Sequence, residues 1–176
     1  MNSIHVPSLP HLVTVPPLQL LMLDGAGAPD NFKDYAATLR TAAELLKMEP
    51  GPLEALWWTA DGSPQIGENT DLWRWTVMLM LPGNVTDTQL AEARGNRNIL
   101  PLAKKMRLAM YEEGRVVERL YTGSLRDKAP ELQEMDEFAR FQGYTPHGKY
   151  HEIYLDDPGP ETPADAKTIL RLPVSR

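Results

Sequence analysis

Apolar residues come in short strand-like runs and, twice, at helical spacing. From His11 to Asp24 the chain reads as a strand, with Pro16-Pro17 confined to its early part, where a missing backbone donor is tolerated at an edge or bulge. Gly25-Ala26-Gly27-Ala28-Pro29-Asp30 ends it, and Asp30 or Asn31 can cap a helix starting there. From Phe32 onward Tyr35, Ala36, Leu39, Ala43 and Leu46 recur with helical period, which predicts an amphipathic helix ending before Pro50-Gly51-Pro52. Leu53 to Thr59 and Trp73 to Leu81 read as strands joined by a polar loop containing Asp61-Gly62-Ser63-Pro64. Between Val85 and Lys105, Thr86 or Asp87 can cap a short helix carrying Leu90 and Ala93.

The order then repeats. Met106 to Tyr111 and Arg115 to Thr122 predict a hairpin about Glu112-Glu113-Gly114. Asp127 to Gln142 predicts a helix with Leu132, Met135, Phe138 and Ala139 inward, stopped by Gly143-Tyr144-Thr145-Pro146. Lys149 to Leu155 and Thr168 to Val174 close the chain as strands, separated by Asp156-Asp157-Pro158-Gly159-Pro160. The expected fold class is α+β: two tandem β-α-β-β units related by a pseudo-twofold axis. Its antiparallel sheet of about eight strands carries the helices on one face, with a ligand cleft between the halves. The half-repeats cover about 12–82 and 106–174, residues 1–11 form a tail, and residues 12–174 form one domain.

Each half places a glutamate inside an apolar strand. Glu54 lies in Leu53-Glu54-Ala55-Leu56-Trp57-Trp58 and Glu152 in His151-Glu152-Ile153-Tyr154-Leu155. A glycine stands 29 residues before each, Gly25 and Gly123, and each half closes on Leu-Pro, at Leu81-Pro82 and Leu172-Pro173. That repetition places one carboxylate per half at the pseudo-twofold seam. Along the strands, Glu54, Leu56 and Trp58 project one way and Leu53, Ala55 and Trp57 the other. Glu152 shares a face with Tyr150 and Tyr154, and Trp73 shares one with Trp75. An ionised glutamate in a dry site costs several kcal/mol unless partnered, so each either pairs with Arg or Lys across a wetted sheet face or serves a site. For Glu152, with two tyrosines on its face, the functional reading is favoured.

Charge and composition remove several classes. The chain has 176 residues, a net charge of −6 and no cysteine. Nucleic-acid surfaces need clustered Lys and Arg, and Lys104-Lys105-Met106-Arg107 is too small a cluster, so no nucleic-acid partner is expected. No apolar run approaches the ~20 residues of a membrane span, and Met1 to Leu12 lacks the form of a secretion signal, so a cytoplasmic protein without a membrane partner is expected. Thiolate chemistry is excluded. Gly25-Ala26-Gly27 lacks the third glycine of a phosphate loop, and His147 and His151 flank Gly148 on a predicted strand, so neither cofactor nor metal is expected.

Several motifs occur in one order: Pro52 to Trp58, Trp73-Arg74-Trp75-Thr76, Gly148 to Pro158, and Lys167 to Val174. Together they closely resemble the free-standing branch of the GyrI-like small-molecule-binding family, from about Leu12 to Val174. The resemblance implies the fold of the effector-binding domains of multidrug-responsive regulators, where a glutamate at the position of Glu152 recognises lipophilic cations in an aromatic pocket. No helix-turn-helix precedes the first strand, which points away from a regulator. On the same resemblance the partner is an aromatic or cationic small molecule, bound by Glu54, Trp58, Trp75, Tyr121, Glu152 and Tyr154. Some free-standing relatives are hydrolases that open the cyclopropane ring of DNA-alkylating compounds. In that case Glu152 is the general base that activates water and Tyr154 assists or donates to the substrate carbonyl. Gly123-Ser124-Leu125, where many relatives have Gly-Pro-Tyr, and Tyr150, where they have His, are departures beside the inferred pocket.

Overall fold

The computed structural model describes residues 5–61, 69–96, 101–158 and 164–176. The chain runs β1 (His11–Val15), β2 (Leu18–Ala26), α1 (Phe32–Leu45), β3 (Leu53–Thr59), β4 (Trp73–Met80), α2 (Asp87–Gly95), β5 (Arg107–Tyr111), β6 (Gly114–Thr122), α3 (Ala129–Phe141), β7 (Thr145–Pro146), β8 (Tyr150–Tyr154) and β9 (Lys167–Ser175). Among the described residues these strands form an antiparallel sheet of order β1-β6-β9-β8-β3-β4-β2-β5, with β7 paired to β9. The fold is α+β, as the pattern predicts, with β3 and β8 joining the halves at the centre of the sheet. No described helix is long and apolar enough to cross a membrane. The expected turns at residues 62–64 and 159–160 lie outside the described residues.

Two expectations about pairing are corrected. The predicted strand from His11 to Asp24 is two strands, because consecutive prolines remove two ladder donors and split it between Val15 and Leu18. The predicted hairpin about Glu112-Glu113-Gly114 does not form. Instead β5 pairs with β2, whereas β6 pairs with β1 and β9. Each half thus lends its first strand to the other half, β1 to β6 and β5 to β2. Pairing across halves places β1 and β5 at the two sheet edges and ties the repeats together.

The repeat is confirmed at a different offset. β1 recurs as β5 and β2 as β6 after 96 residues (107 − 11 and 114 − 18), and β3 as β8 after 97 (150 − 53). The counterpart of Glu152 is therefore Ala55, its cross-strand partner, and the counterpart of Glu54 is His151. Since faces alternate with period two, that one-residue difference puts the two glutamates on opposite faces of the sheet.

One face is covered by α1 and α3. α1 packs on β2 and β4 through Tyr35, Leu39, Ala42 and Ala43, and α3 on β6 and β9 through Met135 and Ala139. Trp57 belongs to both cores and lies where they meet. The Thr86 hydroxyl and Gln89 form a reciprocal capping box that starts α2. At α1 Asn31 occupies the cap position but its side chain makes no capping bond.

Trp75 is fully buried against Tyr35 and Phe32, and its indole N–H donates to the Gly27 carbonyl at 3.2 Å. The ring occupies the space that a side chain at position 25 would need: a Cβ on Gly25 would lie 2.3 Å from Trp75. Gly25→Ala is expected to cost about 1–3 kcal/mol by overpacking, measured by denaturant unfolding. Unchanged stability would contradict this packing.

Candidate functional site

On the helix-covered face, at the junction of the two cores, β8 presents Tyr150, Glu152 and Tyr154 beside Ala55 and Trp57 of β3. Glu152 is 1% exposed. One carboxylate oxygen pairs with the ammonium of Lys128, at the start of α3. The other accepts the Tyr154 hydroxyl at 2.5 Å and the Trp57 indole N–H at 3.1 Å. Trp57 also reaches the Tyr154 oxygen at 3.3 Å. Burial, then the Glu152 charge, pushes the Tyr154 hydroxyl well above the usual phenol range, so it remains protonated and donating.

Aromatic rings surround this carboxylate. Phe32, the first residue of α1, stacks on Trp57 with centroids 5.9 Å apart and 11° between planes, and meets Tyr154 edge-on at 6.1 Å. Trp73 meets Trp57 edge-on at 6.3 Å. The Lys128 ammonium stands 5.3 Å from the Tyr150 ring centroid. Tyr121 shares the face and donates its hydroxyl to the Ser124 carbonyl at 2.7 Å, closing the turn at Gly123.

The six residues singled out from the sequence thus divide. Glu152, Tyr154 and Tyr121 lie on the helix-covered face, while Trp75 backs it as core packing. Glu54 and Trp58 lie on the other face, so neither stands beside Glu152. Trp57 takes the place expected of Trp58. Its alternation is readable in the sequence, but the register that sets it beside Glu152 is not. Lys128 and Phe32 reach the site from helix starts, where strand periodicity carries no signal.

Glu54 takes part in a second buried cluster, on the reverse face. A straight row of cross-strand neighbours runs His11, Glu118, Arg171, His151 through β1, β6, β9 and β8. His151 Nε2 lies 2.8 Å from Glu54 and Nδ1 2.8 Å from Glu113, which the β5–β6 connection brings in. Arg171 donates to Glu118 at 2.7 Å and to Glu113 at 3.3 Å. Burial alone would lower the His151 pKa, but the two carboxylates outweigh it and raise the value to about 9. His151 is therefore a buried imidazolium at neutral pH. Lys149 stands over the Trp58 ring at 3.9 Å on the same side of the sheet. No group of described residues has the make-up of a metal site.

No protein-family model matches the chain, and no curated protein matches it. Two solved structures from Listeria innocua resemble it over nearly its whole length. One is an uncharacterized conserved protein, 29% identical with TM-score 0.85, covering 97% of this chain and 94% of that one. Another is described as a hydrolase, 29% identical with TM-score 0.83, covering 98% and 94%. The EcmrR C-terminal domain shares the fold at 9% identity and TM-score 0.66, covering 95% of this chain and 97% of that one. SAV2435, solved with bound tetraphenylphosphonium, shares it at 12% identity and TM-score 0.50, covering 94% and 93%. The duplicated architecture and these likenesses agree with the resemblance to the GyrI-like family.

Proposed function

We propose that the chain binds flat aromatic small molecules between α1 and α3 and adds water to them, with Glu152 as the general base. One observation carries this reading. The Glu152 carboxylate is already matched by Lys128 and oriented by Tyr154 and Trp57, so it is a positioned base with little surplus charge for attracting a cation. The likeness to a protein described as a hydrolase supports it.

The substrate class that fits is an alkylating compound whose cyclopropane is conjugated to a carbonyl. Glu152 takes a proton from water as the water oxygen bonds to the ring methylene. The strained carbon–carbon bond breaks, and its electron pair passes through the conjugated system to the carbonyl oxygen. That oxygen takes the Tyr154 proton, and Glu152 returns a proton to Tyr154 across their 2.5 Å hydrogen bond. Water is added and both side chains are restored. Trp57 and neighbouring rings hold the flat ligand, which supplies proximity.

Incubation of the chain with such a compound, followed by mass analysis, should show gain of one water. A wild type inactive across a series of these compounds sinks the reading.

A second reading, capture of lipophilic cations without turnover, is favoured by the ring faces around the carboxylate. Lys128→Met separates the two. A cation receptor should bind tetraphenylphosphonium about tenfold more tightly once its internal competitor is gone. A hydrolase should gain no more than slight affinity.

A further inference from the structure

Trp57 is the ring that borders the reacting groups. Its indole N–H donates to Glu152 and lies 3.3 Å from the Tyr154 oxygen, so a flat ligand on its face has the carboxylate and the phenol at its edge. One face of Trp57 is covered by Phe32, with 5.9 Å between centroids and 11° between planes. Phe32 also meets Tyr154 edge-on at 6.1 Å and Trp75 at 5.8 Å, tilted by 47°. Its ring therefore fills, from the side of α1, the space next to Glu152 and Tyr154.

The two walls of this stack are held unequally. Trp57 sits in β3, which is paired on both sides, and its indole is tied to Glu152. Phe32 is the first residue of α1, and Asn31 before it makes no side-chain capping bond. Behind Phe32 the helix is fixed: Tyr35 packs on Trp75 at 4.7 Å, and Leu39, Ala42 and Ala43 are fully buried. Phe32 is the wall that gives, and it gives little before α1 itself must leave the core.

A flat ring between two parallel rings needs a contact distance of about 3.5 Å on each side, roughly 7 Å in all. The stack reaches that spacing when Phe32 shifts by on the order of 1–2 Å. A ligand whose rings are twisted out of one plane needs several ångströms more, which would pull Tyr35 and Leu39 from their packing. We propose that the substrate ring enters between Phe32 and Trp57, and that Phe32 is a specificity-determining residue that admits planar ligands and rejects twisted ones. This rests on the proposed function, in which flat molecules bind between α1 and α3. It names the residue that enforces flatness.

Fluorenone and benzophenone test the assignment. Both are neutral diaryl ketones, and one bond between the rings makes the first planar and leaves the second twisted. In equilibrium dialysis the full chain should bind fluorenone about tenfold more tightly than benzophenone. Phe32→Ala should erase the preference by admitting benzophenone, and Phe32→Tyr should keep it. Phe32→Leu retains an apolar side chain without a flat face, so it should also lose the preference, and it decides the question if alanine unfolds the chain. Equal binding of the two ketones by wild type, or no binding of fluorenone, overturns the proposal. So does a preference that survives in Phe32→Leu, or one lost in Phe32→Ala only through weaker fluorenone binding. Water addition to a cyclopropane compound is scored separately. Turnover without planar preference sinks the role of Phe32 alone, and planar preference without turnover sinks only the hydrolytic reading.

Discussion

Glu113→Ala is expected to destabilise the fold by as much as about 3–5 kcal/mol, because it removes a buried carboxylate shared by two cations and leaves His151 to Glu54 alone and Arg171 to Glu118 alone. Glu113 is 8% exposed and binds His151 and Arg171 together. It also leads β6 away from β5, so the same contact anchors the strand exchange between halves. Denaturant unfolding measures the effect, and a loss below about 1 kcal/mol would show that water replaces the carboxylate.

The same cluster sets a pH dependence. The His151 pKa is raised to about 9 in the fold, from an ordinary value near 6.5. A raised folded value means that protonation favours folding. Its contribution is complete below about pH 6.5 and is lost as pH rises through 9, in total on the order of 3 kcal/mol. Above that range neutral His151 no longer balances Glu54 and Glu113. Wild-type stability should therefore fall across this window, and His151→Gln should remove the decline while lowering stability at neutral pH. A flat wild-type profile from pH 6.5 to 9 would mean that His151 is neutral throughout.

The second large effect concerns the site. Glu152→Gln should lower water addition by about 10²–10⁴-fold, the usual contribution of a positioned base. Glutamine keeps the shape and can still accept from Trp57 and Tyr154, and Lys128, whose side chain is 24% exposed, can turn to solvent. Binding of the substrate should change far less than turnover. Equal loss of both would assign Glu152 to recognition instead of chemistry. Tyr154→Phe should reduce turnover and leave Glu152 paired with Lys128, so its effect should be smaller than that of Glu152→Gln.

Much of the architecture is legible in the pattern. Both long helices, the strands from Leu53, Trp73 and Tyr150, and the duplication come from periods of 3.6 and 2 broken by Pro and Gly. Pairing is less legible. Sequence neighbours favour a hairpin, and nothing local to Glu112-Glu113-Gly114 reveals that β5 finds its partner in β2 of the other half. Lys128 belongs to the site only because α3 lies over β6 and β9 and its start reaches Glu152 of β8, a contact between segments distant in sequence. The strand at His151 rules out helical metal-ligand spacing with His147, but the two carboxylate partners of His151 come from β3 and the β5–β6 connection, which no local pattern reveals.

The sequence by itself determined that Glu54 and Glu152 each sit in an apolar strand, and which neighbours share a face with each. Tertiary structure alone decided their relation. In the antiparallel pair of β3 with β8, Ala55 stands opposite Glu152 and Glu54 opposite Ile153. With side chains alternating every residue, that register sends Glu152 under the helices to Trp57 and Lys128, and Glu54 through the sheet to His151.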